Sequence, residues 1–346
     1  MGVAVAPFAF SARLANAAQL PDLHGADTDS AALDSLITPT DRFFIRNHFF
    51  PRGLPLDQWT LTLTGCLRAP RAFTYPEILR LPRRQVTVTV ECAGNGVGGG
   101  AVGTATWTGI SLRDLLRTAQ LDASARFIRL IGADSGSADL SGPKISYARS
   151  VPVDKALESN TLLAYEMNGA PLSAHHGNPL RAIVPGWYGM DSVKWLTAIE
   201  ALDHEDFSHF MTERYVASRL LAIGTERRPL SGIQVKSQIT RPREGDRVRG
   251  QTAIHGLAWA GESRVVSVEV TWDGGKRWEP AVLHGPSQPY AWVSWDCPWT
   301  PPAPGHYTIS ARASDARGRT QPALKDEFRF DEYENNWYHA VHCEVL

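Results

Sequence analysis

The chain has 346 residues, 43% of them hydrophobic and 21% charged, with a formal net charge of −1. That length exceeds one ordinary core and predicts two domains. The balanced charge gives no basis for binding nucleic acid or an anionic membrane surface, and no segment approaches the roughly 20 apolar residues of a spanning helix.

Taken from the N-terminus, Val3 to Phe10 is a short apolar run, followed by small residues from Ser11 to Ala18. No positively charged segment precedes it, so residues 1–37 read either as the remnant of an export signal, implying a periplasmic protein, or as an N-terminal arm. Residues 38–232 read as mixed α and β. Trp59 to Gly65 alternates polar and apolar residues, the pattern of a half-buried strand. Val86 to Glu91 is rich in β-branched residues and predicts a buried strand that ends on Cys92 and a glycine-rich turn. Ser111 and Asp114 occupy the capping and third positions of a helix that runs into Leu115-Leu116. Phe127 to Ile131, Leu180 to Val184 and Val193 to Ile199 are further strand candidates. Composition shifts near Ser231-Gly232. From residue 233 to 346, short β runs recur at Val265 to Trp272, Tyr290 to Trp295, His306 to Ala313 and Asn336 to Leu346, separated by Asp-Gly-Gly and Pro-rich turns. That is the pattern of an antiparallel β-sandwich.

Four cysteines, Cys66, Cys92, Cys297 and Cys343, are too few and too scattered for a disulfide framework or zinc knuckle. Whether Cys297 and Cys343 pair stays open, with two free thiols the default. No C-x-x-C-H is present to attach a c-type haem, so redox partners are expected to be external.

Cys92 stands out by its surroundings. Gly94-Asn95-Gly96-Val97-Gly98-Gly99 matches G-x-G-x-x-G formally, but a dinucleotide site needs a helix to begin in the loop, and residues 101–109 have no helical period. The glycines instead give the backbone room beside a large cofactor. A thiolate suits a soft redox metal, whereas a Cys-His hydrolase needs a base imidazole aimed at the sulfur, for which His48, His175 and His176 are the candidates. Arg181 and Lys194 sit in apolar segments, Pro-Leu-Arg-Ala-Ile-Val-Pro and Ser-Val-Lys-Trp-Leu, so each must be paired or hold an anion.

These pieces, with Phe43-Phe44-Ile45-Arg46-Asn47-His48 upstream and His176 to Arg181 downstream, resemble the sulfite oxidase family of molybdenum-cofactor enzymes, in its haem-free bacterial sulfite dehydrogenase-like form. The resemblance runs from about Thr38 to the C-terminus. It implies an α+β chain: a sulfite oxidase-type molybdopterin-binding domain, then an immunoglobulin-like sandwich that makes a homodimer. It implies Cys92 as the protein ligand to molybdenum, and His176, Arg181, Ser192 and Lys194 against the molybdopterin and its phosphate. Asp134 would hydrogen-bond the pterin. Phe44, Asn47 and His48 would line the site, Arg46 would face the substrate, and Tyr215 takes the place of the family's active-site tyrosine. Trp107 and Trp187 flank these motifs as candidate pocket walls. The implied reaction is oxidation of sulfite to sulfate, with electrons leaving to an acceptor such as a c-type cytochrome and no haem in the chain itself.

One departure bears on substrate. Animal and plant sulfite oxidases follow Cys-Ala-Gly-Asn with two arginines, where this chain has Gly96 and Val97. Arg214 is a candidate replacement. The loss keeps a molybdenum-dependent reductase of a sulfoxide or nitrate open as a reading, as well as a non-catalytic cofactor-binding protein.

Overall fold

The structure, a computed structural model, describes residues 25–28, 32–33, 35–51, 55–138, 142–285 and 287–346. The expected export-signal segment, 3–18, lies outside them. Strands dominate, and the described helices are short: Tyr75–Leu79, Leu112–Thr118, Val153–Ala156 and His209–Thr212 are the α-helical ones. The expected α+β balance is therefore corrected toward β. The helix expected at Ser111 is present, with the Ser111 hydroxyl accepting from the Asp114 amide.

Two five-stranded sheets build the first part of the chain. One contains Arg83–Glu91, Val102–Ser111 and Leu162–Met167, with Ala170–Pro171 and Arg181–Ile183 both added to the last of these. The other runs Arg71–Thr74, Thr60–Gly65, Leu196–Leu202, Phe127–Ser137, Lys144–Pro152. Leu61, Leu63, Ile110, Leu112, Ile128, Leu163 and Ile199 meet in a shared core. Val102–Ser111 pairs along its whole length with Arg83–Glu91, so the glycine loop is the turn of a hairpin, with no helix in it. Phe127–Ser137 continues past the glycines expected to end it, through an irregularity in its pairing between Ile131 and Ser135.

The second part also has two sheets, of four and five strands. Lys236–Arg241, Thr252–Trp259, Val293–Trp299 and Val282–His284 form one. The other comprises Arg247–Val248, His339–Val345, Gly305–Asp315, Val265–Thr271 and Glu279–Pro280. Ile254, Trp295, Trp299, Val268, Val270 and Ile309 fill one core drawn from both sheets. Cys297 and Cys343 lie in that core as free thiols. The strand expected from Tyr290 begins at Val293. In the run expected from Val265, Val268 and Val270 face the core but Val266, two residues before, does not. A register shift between Val265 and Ser267 turns Val265 inward and leaves Val266 exposed.

Candidate active site

Cys92 is fixed by its backbone. The strand Arg83–Glu91 delivers it, its amide donates to Ala101 O at 2.9 Å, and its carbonyl accepts from the Asn95 amide at 2.9 Å. Asn95 closes the turn, donating from Nδ2 to Glu91 Oε1 at 3.0 Å and accepting the Ala101 amide at Oδ1. Glu91 is buried, so its carboxylate needs partners. Besides Asn95, two come from the C-terminal sheets: Lys236 Nζ reaches Oε1 at 2.8 Å and Trp259 Nε1 reaches Oε2 at 2.8 Å. A buried ion pair of this kind contributes little net stability, but it fixes one geometry. Here that geometry is the loop carrying the sulfur.

Burial pushes the Cys92 thiol up, against weaker opposition from the Gly94 amide and the Arg46 charge. Such a thiol is not a ready nucleophile. Among the described residues no imidazole hydrogen-bonds its sulfur: His48 faces Tyr215, and His176 Nε2 lies 3.0 Å from Thr40 O. The hydrolase arrangement is absent there.

His339, from the last strand, braces the same loop. Its Nδ1 accepts the Ile239 amide at 2.9 Å, and a side chain at Gly98 (φ 74°) would collide with its Nε2. Burial, assisted by the Lys236 charge, lowers its pKa to about 4. Below pH 6.5 the unfolded chain therefore takes up a proton that the fold refuses. The stability His339 contributes is intact above about 6.5 and is lost as pH falls toward 4, by up to about 1.4 kcal/mol per pH unit. His339→Gln keeps an acceptor and removes the titration. Urea unfolding at pH 7 and pH 5 should show a smaller loss in the variant than in the parent; equal losses would contradict the assignment.

A cleft of about 820 Å³, counting its open mouth, lies against Cys92. Of the eleven residues to which the resemblance gives a metal, cofactor or substrate role, ten line it and His176 does not; Trp107, a candidate wall, does not line it either. His176 is buried behind the wall, edge-on to Phe43, and Arg181 Nη1 lies 3.5 Å from its carbonyl.

One end is cationic. Arg181 is 6% exposed; its Nε donates to Ser192 O at 3.2 Å, and its guanidinium lies 5.0 Å from the centre of the Trp107 ring. Lys194 Nζ donates to His175 O at 2.9 Å and to Asn47 Oδ1. Among the described residues neither cation has a carboxylate within ion-pair distance. Burial lowers Arg181 to about 10, and burial followed by the Arg181 charge drives Lys194 well down, with Asp134 opposing only in part. Asp134 stands opposite, its Oδ1 buried without a partner and its pKa raised by burial to about 7. Trp195 (φ 50°) is strained into the left-handed region, which ends the turn carrying Lys194 and starts the strand at Leu196 rather than Val193.

The opposite end is nearly neutral. Tyr215, also left-handed (φ 57°), places its hydroxyl 2.5 Å from His48 Nε2. Burial, then the nearby Arg214 and His209 charges, lower His48 to about 4. His48 is neutral, and its tautomer with the proton on Nε2 donates to the Tyr215 oxygen, leaving the phenol proton, which burial holds firmly, for another acceptor. Arg46 is turned toward Asp27, to which it is hydrogen-bonded.

Several neighbours carried no sequence signal. Tyr147 and Met190 line the cleft without belonging to any motif singled out above. Lys236 carried little more, since Val235-Lys236-Ser237-Gln238-Ile239 sets the cation between apolar ends but beside two polar residues. Trp187 does not wall the cleft; its Nε1 donates to Glu262 at 2.9 Å, beside Lys155. Arg214 lies exposed and outside the lining residues.

Comparison with known proteins gives concordant matches. Residues 50–210 match the oxidoreductase molybdopterin binding domain, and residues 227–345 the Mo-co oxidoreductase dimerisation domain. Sulfite oxidase of Arabidopsis thaliana is 33% identical over 85% of this chain and 84% of its own length. The human mitochondrial sulfite oxidase is 33% identical over 90% of this chain, which spans 62% of that protein's length. Among solved structures, the sulfane dehydrogenase SoxCD from Paracoccus pantotrophus superposes with a TM-score of 0.81 and 29% identity, covering 94% of this chain and 86% of that one. Inducible nitrate reductase of Glycine max is 30% identical over 83% of this chain but 37% of its own.

Proposed function

The chain belongs to the sulfite oxidase family of molybdenum-cofactor oxidoreductases, and from that membership we propose that it oxidises sulfite to sulfate and passes the electrons to a separate acceptor, such as a c-type cytochrome. The observation that carries this reading is the layout of one cleft. A single thiol lies against it, a buried Arg181 and a half-buried Lys194 without carboxylate partners lie at one end, and a neutral hydrogen-bonded pair lies at the other.

The residues fit the cofactor. The described residues contain no group of three or more His, Cys, Asp or Glu side chains able to hold a bare metal ion, so the metal must arrive in a larger frame. Cys92 would supply the protein's thiolate. Arg181 and Lys194 would meet the anionic tail, relieving the cost of holding one buried and one half-buried charge without a counter-ion. The orphaned Asp134 Oδ1 would accept from the pterin. When bound, the molybdenum centre supplies oxygen-atom transfer and takes up two electrons. The chain's part is positional: Arg46 attracts the substrate oxyanion at the mouth, and the Tyr215 hydroxyl, oriented by His48, donates to a substrate oxygen. Buried Tyr147 and Met190 exclude water from that wall.

The same reading takes the C-terminal sheets as an immunoglobulin-like unit through which two copies associate, and the periplasm as the setting. A reductase of nitrate or a sulfoxide is the second reading, favoured by Gly96 and Val97 in place of two arginines and by the nitrate reductase match. Metal analysis with an optical sulfite titration separates them. One molybdenum per chain, with absorbance that responds to sulfite, is expected. Full metal content without that response, together with oxidation of a reduced dye by a sulfoxide, would favour the reductase.

A further inference from the structure

The guanidinium expected to meet the substrate already has a partner. Gly25–Ala26 pairs antiparallel with Ile45–Arg46, which sets Asp27 beside the Arg46 side chain. Arg46 Nη2 bonds Asp27 Oδ1, while Nη1 donates to Ala26 O at 2.9 Å and Ile45 O at 2.8 Å. The segment holding Asp27 is sewn into the site wall. Thr28 N donates to Gly100 O at 2.8 Å, its hydroxyl donates to Val102 O at 2.7 Å, and the same oxygen accepts the Phe44 amide at 3.1 Å. Two glycines make the room: a Cβ at Gly25 would lie 2.9 Å from Arg46 Nη1, and one at Gly100 would lie 2.9 Å from Asp27 Cβ.

Charge at this end of the cleft is then close to cancelled. Asp27 offsets Arg46, His48 is neutral, and Gly96 is open space where a side chain would meet nothing within 4 Å. Arg181 and Lys194 belong to the far end. Of the residues that line the cleft at this end, Arg46 is the one cation, and it is shared with a carboxylate; Arg214 acts on His48 from outside the lining.

We infer that Asp27 is a specificity-determining residue, which competes with an anionic substrate for Arg46 and lowers the charge the site accepts. The inference rests on the sulfite-oxidising reading for its substrate and on the Asp27–Arg46 geometry for its mechanism. The pair is partly exposed, with side-chain exposures of 40% for Arg46 and 56% for Asp27, so water screens it and the effect is moderate.

The test compares the parent holoenzyme with Asp27→Asn and Asp27→Ala, using steady-state sulfite oxidation and calorimetric binding of sulfate. Either variant that retains the parent melting temperature should show KM for sulfite and Kd for sulfate lowered at least about threefold, with kcat within about twofold. Adding Arg46→Met to the variant should remove the gain. Unchanged or weaker sulfate binding in both variants would overturn the inference, as would a gain that survives loss of Arg46. Sulfate binding needs no turnover. A parent that ignores sulfite therefore defeats the functional reading, while the sulfate titrations still decide the role of Asp27.

Discussion

Replacing Cys92 by serine is expected to reduce sulfite turnover by more than about 100-fold while leaving the fold in place. The two halves of that expectation have separate causes. The loop is held by the Cys92 and Asn95 backbone groups and by the carboxylate of Glu91, clamped by Lys236 and Trp259. None of those bonds uses the sulfur. Serine is only slightly smaller and fits the same backbone, so the melting temperature should move by only a few degrees. The chemistry has no such reserve. Burial already disfavours ionisation of the thiol, so a soft metal is what converts it to thiolate. A hydroxyl ionises far less readily and is a hard donor, so the metal loses its protein ligand. Turnover and molybdenum content measured on the same sample check this. A serine variant of parental activity would remove Cys92 from the metal.

That prediction rests on a residue the sequence exposed well, and the reason is physical. Cys92, Arg181 and Lys194 each break the local rule of their own segment: a thiol at the end of a β-branched run, a cation among apolar neighbours. Such conflicts concentrate at functional sites. The clamp behind Cys92 was less visible because Glu91 and Lys236 are 145 positions apart and meet only when the two pairs of sheets pack. Asp27 was missed for a different cause. It lies in a stretch read as a leader or arm, where composition overshadowed a two-residue strand. A strand limit failed where glycine interrupts the period without ending the ladder, in Phe127–Ser137, whereas in Val265–Thr271 the limits held to one residue and a register shift left Val266 outward. The strand Val102–Ser111 shows the same limit. Its small residues gave no alternation to read, because both faces are buried.

Arg181→Met should move cofactor retention and apoprotein stability in opposite directions. In the apoprotein Arg181 is a buried cation with no carboxylate partner among the described residues, and a pKa lowered by burial to about 10 corresponds to a cost on the order of 3 kcal/mol. Methionine fills similar length without charge and can keep the contact with Trp107. The variant forfeits a 3.2 Å bond to Ser192 O and a long 3.5 Å approach to His176 O, together about 1–2 kcal/mol. Relief of the buried charge outweighs those two lost bonds, so the apoprotein should gain about 1 kcal/mol in urea unfolding. With the cofactor present the balance inverts, because a charge-assisted bond to its anionic tail is worth about 1.5–3 kcal/mol. Molybdenum retained after dialysis should then fall by about tenfold or more. Loss of both stability and metal would make Arg181 a structural residue, and unchanged metal would place the anionic tail elsewhere in the cleft. The opposed signs are what a site built around an anion predicts, since the cost of burying an unpaired cation is relieved only by the ligand that pairs with it.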